Sequence, residues 1–194
     1  MSLNILLPIG KYYKLKNVIY SHTANINNIN NMPGVDGDPN QTKIIENLKN
    51  LFTNVVDPII DAFPNLQLTS GYRSLILNSK VGGSKRSQHI KGQAADIRVP
   101  SQTSAEIYNF IFYNINSWDQ LIWEFPEKED KAWIHVSYGG RGQRETMLAS
   151  CVDGYHDIYG GTRLNPTKDC PKGIYQKNIG PAKYTDLVQS IRNN

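Results

Sequence analysis

The feature that most constrains this chain is a stretch in which Ile44, Ile45, Leu48, Leu51, Phe52, Val55, Val56, Ile59, Ile60 and Phe63 recur at three- and four-residue steps. That spacing puts apolar side chains along one face of a helix, and the rest of the chain must cover it. The segment is therefore the expected core helix. Asp38 followed by Pro39 suits its start, with Asp as cap and Pro where no N–H is needed. Pro58 should kink or divide it, because the ring deletes a backbone hydrogen bond and crowds the preceding turn, and Pro64 should end it. At 194 residues, with 39% hydrophobic and 20% charged side chains, the chain has the size and balance of one ordinary globular domain.

Around this helix the pattern alternates between strand and helix signals. Leu66 to Ser70 and Ala94 to Val99 have strand character, ended by Gly71 and Pro100. Thr103 with Glu106 three residues on forms a capping box for a helix with Ile107, Phe110, Ile111 and Ile115 on its buried face. Gln120–Phe125 and Ala132–Tyr138 suit an antiparallel hairpin about the polar turn from Pro126 to Lys131. The expected fold is α+β, a small antiparallel sheet with helices packed on one face. Residues 11–40, rich in Asn, Gly and Pro, should form an irregular arm that wraps the domain. The pattern weakens after Gly140, where only Tyr184 to Ile191 is amphipathic. Residues 1–142 are thus expected to form the domain, and 143–194 an extension packed on it.

Charge and composition exclude some function classes. The net charge of +4 and the sequence pI near 9.0 favour approach to an anionic surface such as a cell-wall polymer. Lys and Arg are scattered with no basic run or basic helix, which argues against nucleic acid. No run approaches the roughly 18 apolar residues of a membrane span. Met1 to Gly10 lacks the basic and cleavage features of a signal peptide, so none is expected. Cys151 and Cys170 do not make a CxxC spacing, and one disulfide or two free thiols both fit.

The sharpest chemical signal is Ser-Gln-His-Ile-Lys-Gly-Gln-Ala-Ala-Asp, residues 87–96, in which His89 and Asp96 stand seven apart with Gly92 between them. A loop-borne imidazole and a strand-borne carboxylate can meet around zinc at about 2.0–2.2 Å if Gly92 lets the backbone turn. A third ligand could come from His135 in Trp-Ile-His-Val-Ser, mid-strand beside a neighbouring strand. A lone His is more often a surface or satisfied core residue, and His22 and His156 are placed in that class.

Three blocks, Ser-Gly-Tyr-Arg-Ser at 70–74, the His89/Asp96 stretch and Trp-Ile-His-Val-Ser at 133–137, occur in this order. Together they resemble the zinc D-alanyl-D-alanine carboxypeptidase and L-alanyl-D-glutamate endopeptidase family, including its phage endolysin-type members, from about Tyr13 through Gly142. The resemblance implies a hedgehog-like fold, zinc as cofactor, and His89, Asp96 and His135 as its ligands. It also implies that Arg73 receives a substrate carboxylate, a role its planar fork of donors suits. The implied substrate is a peptidoglycan stem peptide, cut by a monomer that acts at the wall in phage lysis or as a virion component. A zinc-containing wall-binding or virion protein without catalysis is the alternative.

Zinc hydrolysis also needs a group to move the proton of the attacking water. Glu124 is the first candidate: a hairpin centred between Glu129 and Asp130 would set it directly across from His135. Relatives commonly carry the base a few residues before the last His, where this chain has Ala132 and Asp130, which makes Asp130 the second candidate. Glu127 and Glu129 fall in the turn as solvated charges. The resemblance also implies that Ser87, Gln88 and Gln120 stand near the ligands, with Ser87 and Gln120 toward substrate.

Overall fold

The computed structural model describes residues 3–35, 41–126, 131–150, 162–163, 174–177 and 180. The expected helix start at Asp38-Pro39, both cysteines, His156 and the stretch from Tyr184 to Ile191 lie outside the described residues.

The apolar stripe forms α3 (Gln41–Leu51), then a π-helical turn (Phe52–Val56), then α4 (Asp57–Ala62). Pro58 divides the helix as its chemistry requires. It sits at the start of α4, and the widened turn before it is closed by the Asp57 N–H donating to the Phe52 carbonyl, five residues back. Leu48, Leu51, Phe52, Val55, Val56 and Ile59 are all fully buried.

Ahead of them the arm contributes α1 (Leu15–Val18) and α2 (His22–Ile26). The arm is pinned by the buried Asn31. Its amide donates to the carbonyls of Ile19 (2.7 Å) and Tyr72 (3.1 Å), and its oxygen accepts the Ser74 N–H (2.7 Å). Gly71 lies where α1 touches the sheet end; a Cβ there would come within 2.5 Å of the Val18 carbonyl.

The remaining elements are β1 (Gln67–Ser70), α5 (Leu75–Lys80), a 3-10 turn (His89–Lys91), β2 (Ala94–Arg98), α6 (Ser104–Asn114), β3 (Gln120–Glu124), β4 (Trp133–Ser137), β5 (Glu145–Ser150), β6 (Thr162–Arg163) and β7 (Ile174–Lys177). The strands form one sheet in the order β1-β2-β4-β3-β5-β7-β6. The fold is α+β, with helices packed against the sheet. Side chains alternate across it: Ala95, Ile97, Leu121, Trp123, Ile134, Val136 and Leu148 join the helices in one hydrophobic core. The other face carries Asp96, His135, Ile122 and Glu124.

The sheet is antiparallel except for β3 with β5, which run parallel. The parallel pair follows from the route of the chain after β4. The loop at 139–142 crosses the end of β3, and the buried Asp119 just before β3 captures it there. The Asp119 carboxylate accepts the N–H groups of Gly139 (2.7 Å), Arg141 (3.0 Å) and Gly142 (2.8 Å).

At the start of α6 the capping box forms as read: Thr103 Oγ1 accepts the Glu106 N–H, and Glu106 Oε2 accepts the Thr103 N–H at 2.8 Å. Thr103→Ala should cost about 1 kcal/mol in urea unfolding at neutral pH. The hydrogen bonds from Thr103 lower the Glu106 pKa from its ordinary value of 4.5. The box's contribution is therefore present above that unfolded-state value and lost as pH falls through the lowered folded one. The gap between parent and variant should narrow in acid.

Candidate metal centre

Two neighbouring strands and one turn build the site. β2 and β4 pair antiparallel with Asp96 opposite His135, so both side chains leave the same face from adjacent positions. His89 comes from the 3-10 turn that leads into β2. The turn ends at Gly92 in the left-handed region (φ 68°), where a Cβ would lie 2.7 Å from the Ile44 carbonyl. A side chain there would meet both strain and a clash, so the reversal that brings His89 back over Asp96 depends on glycine.

The three side chains are buried, and their donor atoms lie within 4.8 Å of one another. Asp96 Oδ1 is 3.1 Å from His89 Nε2 and 2.9 Å from His135 Nδ1, and the two ring nitrogens are 3.2 Å apart. Ligands about 2.0–2.1 Å from one tetrahedral ion are separated by about 3.4 Å, so the cluster has nearly the size such an ion requires. The protonation pattern agrees. His89 Nδ1 faces the Gly71 carbonyl at 2.7 Å, which fixes its proton there and turns the Nε2 lone pair toward the carboxylate. Burial lowers the His89 pKa from 6.5. The His89 Nε2 lone pair thus faces the Asp96 carboxylate, an arrangement that a cation suits.

Burial would raise the Asp96 pKa, but the facing imidazoles, His89 first, outweigh it and hold the carboxyl well below 3.8. Its other oxygen, Oδ2, accepts from Arg73 Nη2 at 2.5 Å, and Arg73 Nε donates to Ser70 Oγ at 2.8 Å. Arg73 therefore grips the candidate ligand from behind. Its side chain is largely buried against Asp96.

Glu124 reaches the same face by a different register from the one expected. The hairpin pairs Glu124 with Trp133 and Ile122 with His135, so Glu124 is one row along from His135 rather than directly across. A two-residue shift keeps every side chain on its face. Burial first and the Asp96 charge second push the Glu124 carboxyl up from 4.5 to about 7, against the opposing pull of His135 and Arg73. A carboxyl poised near neutrality beside a candidate metal site suits proton transfer. Asp130, like Glu127 and Glu129, lies outside the described residues.

The other named residues stand around this core. Ser87 Oγ accepts the His89 N–H at 3.3 Å, and both side-chain amide atoms of Gln88 are buried without a partner among the described residues. Gln120, on the site face beyond Ile122, donates to Glu145 at 2.7 Å. His22 is exposed at the head of α2. Asn31 and Asp119 were missed. Each acts through main-chain groups that only folding brings to it, and neither stands in a recognisable spacing.

A family model described as Peptidase M15 matches residues 20–137, a span that holds all three blocks and the whole cluster. No curated protein matches the chain.

Proposed function

Because the chain belongs to the peptidase M15 family, we propose that it is a zinc-dependent peptidase that hydrolyses peptide bonds in peptidoglycan stem peptides, as a D-Ala-D-Ala carboxypeptidase or an L-Ala-D-Glu-type endopeptidase. The observation that carries this reading is the buried convergence of His89, Asp96 and His135 within 4.8 Å, with Glu124 one row from His135 on the same face.

The metal would be held by His89 Nε2, Asp96 Oδ1 and His135 Nδ1, and would supply Lewis acidity toward the scissile carbonyl and an acidified water. Glu124 takes the proton of the attacking water and returns it to the departing amine; its position one row from His135 supports that role. Arg73 fixes Asp96 with one edge of its guanidinium and takes a substrate carboxylate with the remaining one, and Ser87 and Gln120 hold the peptide on either side. Asp130 is the second candidate base. A structural ion would require four protein ligands, and the described residues bring three together, which supports catalysis.

Metal analysis of the purified protein, followed by incubation with defined muropeptides and mass identification of the products, tests this reading. The expected result is one zinc per chain and one bond cut, with cleavage lost on chelation and restored by zinc. Stoichiometric zinc without cleavage of any stem peptide would overturn it.

A further inference from the structure

The segment from Ala62 to Ala95 contains Arg73, Lys80, Lys85, Arg86 and Lys91 and no Asp or Glu. Its fold turns that composition into a surface. The lobe from Ser74 to Gln88 leaves the candidate metal site at Arg73 and returns to it at His89, and the Arg73 N–H donates to the His89 carbonyl at 3.3 Å to close its base. Inside the lobe the buried Asn78 staples the far loop to α5. Its side-chain amide donates to the Ser84 carbonyl at 2.9 Å, and its main-chain carbonyl accepts the Gly83 N–H at 2.8 Å. Lys80, Lys85 and Arg86 are exposed on the lobe and Lys91 is exposed just past its base, while Leu75, Ile76 and Val81 interleave exposed apolar surface. The fixed lobe is thus a cationic lip bordering the cluster. On the opposite side of the cluster, along β3 and β5, the charged residues on the site face are Glu124 and Glu145.

We propose that this lip is a docking surface for the carboxylates of intact peptidoglycan, engaging stem peptides next to the one being cut. The inference rests on the wall-peptide reading of the site. Charge complementarity carries it. A polymer bearing a carboxylate-rich peptide at each repeat presents many weak anionic contacts, and an acid-free lip at the edge of the site raises its local concentration. A short soluble peptide that fills only the cluster would not reach the lip.

The test compares the parent, K80E/K85E/R86E, and K14E/K16E/K49E, which reverses three exposed lysines remote in sequence from the lip. Sedimentation with purified sacculi stripped of teichoic acid should fall roughly tenfold or more for the lip variant only. The parent's binding should weaken between about 0.01 and 0.15 M ionic strength, as the screening length drops from about 30 to 8 Å. Cleavage of a soluble muropeptide should match the parent in both variants. Equal sedimentation by the lip variant, or equal loss in both variants, overturns the proposal. Binding confined to teichoic-acid-bearing walls or to anionic lipid vesicles also overturns it. If the parent cuts no wall peptide, the wall-peptidase reading fails, and sedimentation still reports whether the lip binds the polymer.

Discussion

A Glu124→Gln variant is expected to keep one zinc per chain and to cleave stem peptide about 10²–10⁴-fold more slowly, the usual contribution of a positioned general base. The substitution preserves shape and removes only the ability to accept a proton. Glu124 projects from the site face one row from His135, near enough for the Asp96 charge to raise its pKa and distinct from the three converging atoms. The loss should appear in kcat with little change in KM, because the proton moves in the transition state. The pH profile supplies the sign. A base works only when ionised, so the parent's rate should fall as pH drops through the Glu124 pKa. That value is about 7 with no ion bound, and a bound dication pulls it lower. The acid limb of kcat/KM should therefore lie below 7 in the zinc-loaded enzyme. An unchanged cleavage rate in Glu124→Gln would remove it as the base and pass the role to Asp130.

Asp96→Ala should lose both metal and stability. The substitution deletes the oxygen that lies 3.1 Å from His89 Nε2 and 2.9 Å from His135 Nδ1. It also leaves the Arg73 guanidinium, whose side chain is 18% exposed, without the carboxylate it donates to at 2.5 Å. Removing one partner of a buried ion pair costs about 3–5 kcal/mol, and the partial exposure of Arg73 places the expectation near about 3 kcal/mol. Urea unfolding in chelator reads this cost apart from metal binding, and metal analysis at equilibrium reads zinc falling well below one per chain. An Asp96→Ala protein that still held stoichiometric zinc would show that the ion binds elsewhere. One that unfolded like the parent would show that Arg73 finds solvent or another acceptor at no cost.

Much of this was written in local pattern. The core helix showed in the apolar periodicity, and Pro58 divided it where a missing N–H must; the α6 cap showed as Thr103 and Glu106 three residues apart. The His89/Asp96 spacing with Gly92 was legible because one turn and one strand carry both side chains. Register was less so. The hairpin's polar turn permits several centres, and a two-residue slip leaves the pattern of faces unchanged, so Glu124 could be assigned to the right face but not to the right partner.

What sequence alone determined was therefore face, periodicity and the identity of groups able to bind a metal, since each depends on residues a few positions apart. Only the tertiary structure decided which of them meet: His135 beside Asp96, Arg73 behind it, Asn31 tying the arm to Ser74, and Asp119 steering the chain so that β5 runs parallel to β3. These contacts join main-chain groups and side chains far apart in the chain. Backbone N–H and C=O groups are the same at every residue, so their capture leaves no signature until the fold brings them together.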